Sequence, residues 1–71
     1  MKEYLVIYEK GGRNWSAYSP DVPGCVAAAE SREELETLFA EALGFHIEGL
    51  MEDGLPVPEP MTFAGKVAVK V

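Results

Sequence analysis

Residues 2–9, KEYLVIYE, place Tyr4, Val6 and Tyr8 on one face of an extended chain and Leu5 and Ile7 on the other. Apolar side chains on both faces predict a central strand, covered on both sides. Gly11-Gly12 signals a hairpin. Residues 13–19, RNWSAYS, read as a second strand, with Trp15 and Ala17 opposing Asn14, Ser16 and Tyr18. Pro20-Asp21-Val22-Pro23-Gly24 then forces a rigid turn. Residues 25–29, CVAAA, make a short third strand whose small side chains allow close approach.

Ser31 followed by Glu34 is a capping box and predicts a helix from about residue 32 to 52, stopped by Gly54. At the helical period, Leu35, Leu38, Phe39, Ala42, His46, Gly49 and Leu50 share one side. Leu43, Phe45 and Ile47 widen that arc to about 200°, more than one small sheet needs. Phe45, His46, Ile47 and Leu50 are therefore candidates for an oligomer interface. Glu33, Glu34, Glu41, Glu48 and Glu52 occupy the opposite side. Alternating Pro56, Pro58 and Pro60 keep the next segment extended. It leads to a fourth strand over residues 62–71, where Val67, Val69 and Val71 alternate with Lys66, Ala68 and Lys70. The expected fold is α+β, ordered β-β-β-α-β: an antiparallel three-stranded meander plus a fourth strand, with one helix on one sheet face. A right-handed crossover places the fourth strand beside the first.

Length sharpens this picture. A chain of 71 residues is one domain, and so short a chain seldom buries enough apolar surface without a staple or a partner. One cysteine excludes an intrachain disulfide. One histidine and one cysteine are too few for a structural zinc site built from those ligands. What remains is an unusually good core or self-association, and 48% hydrophobic residues favour both. From the wide apolar helix arc and the uncovered sheet face we expect a homodimer or a dimer of dimers.

Charge narrows the partners. Six Lys and Arg against twelve Asp and Glu leave a net charge of −6, the wrong sign for neutralising phosphates, so no direct DNA binding is expected. A basic protein partner fits better. No apolar run approaches the ~20 residues that span a bilayer, and the N-terminus has no signal-peptide pattern. The free cysteine and the missing signal point to the cytoplasm. Catalytic chemistry finds little footing. The single histidine, His46, lies mid-helix on the apolar side and reads as a core or interface residue, or else as a pH-sensitive contact. Cys25 reads as a small buried hydrophobe. The carboxylates lie on the solvent side of the helix rather than converging, and no glycine-rich turn leads into a helix. We expect no enzyme activity, no cofactor and no metal. Exposed aromatic and proline positions remain as candidate partner contacts: Trp15, Tyr18, Pro20, Asp21 and Pro23.

The run Tyr18-Ser19-Pro20-Asp21-Val22-Pro23-Gly24-Cys25 resembles the signature of HicB-type antitoxins, an aromatic strand followed by P-D-(aliphatic)-P-G-C. Ser31-Arg32-Glu33-Glu34-Leu35 resembles that family's helix start, Glu41-Ala42-Leu43 and His46-Ile47-Glu48-Gly49-Leu50 its helix body, and Asp53-Gly54 with Leu55-Pro56-Val57-Pro58-Glu59-Pro60 its helix stop and proline segment. The resemblance covers residues 2–71. It implies a partial ribonuclease-H-like domain that binds and masks HicA, a small basic toxin that cleaves mRNA. It adds Gly24 and Cys25 to the motif residues. Longer members also carry a DNA-binding module that represses their operon. Residues 1–71 are expected to form a single HicB-like domain without that module. Ala28-Ala29-Glu30 stands where the family often has a glycine before the helix cap. The alternative is an orphan oligomeric module with no toxin partner. A residual metal-dependent nuclease is a third reading, disfavoured by the missing carboxylate positions.

Overall fold

A computed structural model describes all of residues 1–71. Strands β1 (Ile7–Lys10), β2 (Trp15–Tyr18) and β3 (Val26–Ala29) form an antiparallel sheet in that order, and one helix, α1 (Arg32–Glu52), follows. Ile7 pairs with Tyr18 and Lys10 with Trp15, and Trp15 in turn with Ala29 and Tyr18 with Val26. The hairpin between β1 and β2 closes through the Gly11 N–H donating to the Asn14 carbonyl at 2.7 Å.

Strand one is shorter than its pattern predicts, and the register says why. One step beyond Ile7 and Tyr18, Val6 would face Ser19, and one step further Leu5 would face Pro20. Proline has no N–H to donate, so the ladder ends. The Ser19 hydroxyl takes over, donating to the Leu5 carbonyl at 2.8 Å. Leu5 is thereby held beside the sheet without belonging to it.

Because cross-strand partners share a face, Tyr8, Ala17 and Ala27 look toward the helix, while Ile7, Tyr18 and Val26 look away from it. Helix α1 packs on β3 and β2. Ala17, Val22, Cys25, Leu35 and Phe39 form the buried core, with Tyr4, Val6, Tyr8, Trp15, Ala42, Leu43 and Ile47 packed around it. A helix of 21 residues is about 31 Å long and a four-residue strand about 13 Å. The helix therefore overhangs the sheet, and Phe45 and Met51, each about 120° around it from the Leu35–Phe39 side, are exposed.

The helix ends are held by the residues the sequence singles out, though only the serine half of the capping box forms. The Ser31 hydroxyl accepts from the Glu34 N–H at 3.2 Å. At the other end Leu55 N–H donates to Leu50 and Gly54 N–H to Met51. This pair of bonds is the Schellman arrangement, which needs the positive φ of 69° found at Gly54.

Two expectations are corrected. Strand one is not central: β2 is, and β1 is an edge strand with its far side unpaired. The fourth strand is not formed within this chain. Beyond Leu55 no backbone group bonds to another backbone group, so residues 62–71 are not paired beside β1 or anywhere else. A strand exists only through its partner, and the alternation of valines supplied none. The radius of gyration, 14.0 Å, exceeds the about 11 Å of a compact chain of this length, because this segment stands off the body.

Candidate partner-binding site

The proline turn between β2 and β3 carries most of the candidate residues. Val22 N–H donates to the Ser19 carbonyl at 3.1 Å and Cys25 N–H to the Val22 carbonyl at 3.4 Å. The chain then reverses at Gly24, whose φ of 89° is a backbone region that suits glycine. Two successive turns of this kind swing Val22 inward, where it is fully buried, and leave Pro20 and Pro23 on the surface.

Asp21 has a specific task. One carboxylate oxygen accepts from the Met61 and Thr62 N–H groups, each at 2.9 Å, and the other from the Thr62 hydroxyl at 2.7 Å. The turn thus clamps the segment that follows the proline run. Those bonds, the Thr62 hydroxyl first, hold the Asp21 carboxyl below its ordinary pKa. Two more contacts tie the same segment down: Tyr4 OH donates to the Pro58 carbonyl at 2.6 Å, and Lys2 Nζ pairs with Glu59 at 2.8 Å.

The seven motif residues therefore separate. Cys25 lies in the core, and burial pushes its thiol pKa up. Trp15 is half-buried against the core on the helix side. Asp21 is committed to the chain's own backbone. Tyr18, Pro20, Pro23 and Gly24 stay accessible. Tyr18 faces away from the helix, in a row with half-buried Ile7 and exposed Val26 across the uncovered sheet face.

The helix candidates also separate. Ile47 packs against the core, His46 and Leu50 are half-buried, and Phe45 is 74% exposed. His46 lies against the turn: its Cε1 is 3.9 Å from where a side chain on Gly24 would begin. Between the overhanging helix and the N-terminal residues runs an open apolar groove of about 580 Å³, walled by Tyr4, Leu43, Ile47, Met51 and Val57. The glutamates on the outer helix face are all exposed. No three of His, Cys, Asp and Glu converge as a metal site would require, and no helix is long and apolar enough to cross a membrane.

Pattern reading missed three residues here. Nothing local marks Ser19 as the donor to Leu5 or Thr62 as the partner of Asp21, since both pairings join distant parts of the chain. Val22 carried a signal: a lone aliphatic residue between two prolines has reason to be there only if it points inward.

Residues 4–70 match the family model of the HicB-like antitoxin of bacterial toxin–antitoxin systems. An uncharacterised 14.9 kDa protein from the rep-hol intergenic region of Haemophilus phage HP1 is 38% identical over 56 residues. That match takes in 79% of this chain and 42% of the phage protein, so the chain spans less than half the length of this relative. Among solved structures, a chain of the HicA3 and HicB3 toxin–antitoxin complex superposes with a TM-score of 0.71 at 32% identity, covering 84% of this chain and 70% of that one. With the meander, the clamped proline turn and the single helix in place, the chain belongs to the HicB-like antitoxin family.

Proposed function

We propose that this chain is the toxin-binding part of an antitoxin, a cytoplasmic, non-enzymatic protein that masks a small basic HicA-like mRNA-cleaving toxin by occlusion. The observation that carries the reading is the likeness, in fold and at 32% identity, to a chain of a toxin–antitoxin complex. The charge supports it. A net −6, with exposed glutamates along α1, favours encounter with a basic protein and speeds association more than it tightens the complex. Anchors come from the accessible part of the motif, Tyr18 with Pro20 and Pro23, where an aromatic ring stands beside a stiff turn.

Co-expression of the full chain with a HicA-like toxin tests this. The expected result is rescue of growth and a co-purifying complex. Reversing Glu33, Glu41 and Glu48 to lysine should slow association most at low salt. A toxin that stays free and active in the presence of excess chain overturns the reading. The alternative, an oligomeric module without a toxin, draws on the unpaired segment after Thr62 and is favoured by a stable self-assembly that binds no such toxin.

A further inference from the structure

We propose that residues 63–71 are a strand donated to a second copy of this chain, where they pair with the free edge of β1, and that two copies exchange these strands reciprocally. Three observations converge. The first is the donor. Phe63, Val67, Val69 and Val71 fall on one side of an extended segment and are all exposed, while Lys66 and Lys70 fall on the other. This is the alternation of a half-buried strand. Its backbone makes no hydrogen bond within the chain, although an extended apolar segment with unpaired N–H and C=O groups is a template for pairing.

The second is the acceptor. In the order β1-β2-β3, the outer edge of β1 has no neighbour. It is also where a right-handed crossover from α1 would lay a fourth strand. The structure therefore holds an unfilled strand position and an unplaced strand of the same chain. On the helix side of the same N-terminal segment, the groove between Tyr4 and Leu43, Ile47 and Met51 is apolar and gives the donated valines somewhere to bury.

The third is the hinge. Asp21 fixes Met61 and Thr62 through three hydrogen bonds, so the strand leaves the body from a defined point rather than from a loose linker. A strand launched from a clamp and left without a partner at home has a second copy as its natural acceptor, since an identical element fits an identical site. Reciprocal exchange closes the assembly with two-fold symmetry and uses both edges, which a one-way donation would not. It also buries Phe63, Val67 and Val69, which are exposed in the single chain.

The test is light scattering on the full chain and on a chain ending at Thr62, at high micromolar concentration, with far-UV circular dichroism on both. The full chain should have twice the monomer mass. The shortened chain should be monomeric and equally helical, because residues 63–71 touch no part of the core. The double variant Val67→Asp, Val69→Asp should dissociate likewise without unfolding. Hydrogen exchange locates the acceptor: outward-pointing amides of Ile7–Lys10 should be protected in the full chain and exchange faster after truncation. A monomeric full chain, or a dimer that survives truncation, overturns the proposal. So does a truncation-sensitive dimer whose β1 amides exchange alike in both chains, since its strands would be pairing with each other.

Discussion

The proline turn 19–25 and the segment 63–71 are both free of regular secondary structure, yet they could hardly differ more. In the turn, Ser19, Val22 and Cys25 are buried, and the carboxylate of Asp21 receives three hydrogen bonds. In the segment, every residue is exposed and none is hydrogen-bonded. Irregular backbone is thus not the same as loose backbone. What orders the turn is that the buried Ser19 hydroxyl and the Asp21 carboxylate find partners while Val22 and Cys25 pack inward. The segment has the apolar side chains without the partners. Their difference is one of completeness: the turn is finished within one chain, and the segment is not.

The sharpest way to break that contrast is to empty the turn. Val22→Ala removes two methyl carbons from a fully buried site and should cost about 2–3 kcal/mol in a denaturant titration. A loss near zero would mean that the turn is as loose as the segment. Gly24→Ala should cost about 1–2 kcal/mol through backbone strain alone, because the nearest atom to an added Cβ, on His46, is a comfortable 3.9 Å away.

Asp21 joins the two regions, and pH separates its share. Its carboxyl titrates below the ordinary range in the folded chain, so the unfolded chain binds more protons in acid. The stability it contributes is present above about pH 4 and is lost as pH falls through the lowered folded value. Asp21→Asn should flatten that acid-side dependence and free the Met61 and Thr62 amides to exchange, while helix content at neutral pH holds. Unchanged exchange at Thr62 would show that the clamp lies elsewhere. Cys25 reports on the turn from inside: its buried thiol should react with a disulfide reagent only on unfolding. The smallest effect is expected in the segment. Val67→Ala should change the stability of the isolated single chain by less than about 0.5 kcal/mol, because the side chain is 87% exposed there.

The helix shows how much was legible. Ser31, Glu34 and Gly54 announced its ends, and it runs over Arg32–Glu52 as expected. Which part of its broad apolar arc would be covered was not legible. Leu35 and Phe39 are buried while Leu38, equally apolar, is 43% exposed, because the arc is wider than the sheet it meets. The candidate site divided for a similar reason. Asp21 and Pro23 are neighbours in a motif, but one is consumed by Thr62, forty-one residues away, and the other faces solvent. No local pattern distinguishes them.

Local chemistry determined the elements, since caps, proline, glycine and side-chain alternation act over a few residues. It also set the sign of the surface charge and the resemblance carried by the turn. Only the tertiary structure decided that β2 rather than β1 lies in the middle, that Ser19 and Asp21 serve distant backbone, and that the last valines find no partner within the chain. Those are questions of which surfaces meet, and a hydrophobic pattern says that a surface must be covered without saying by what.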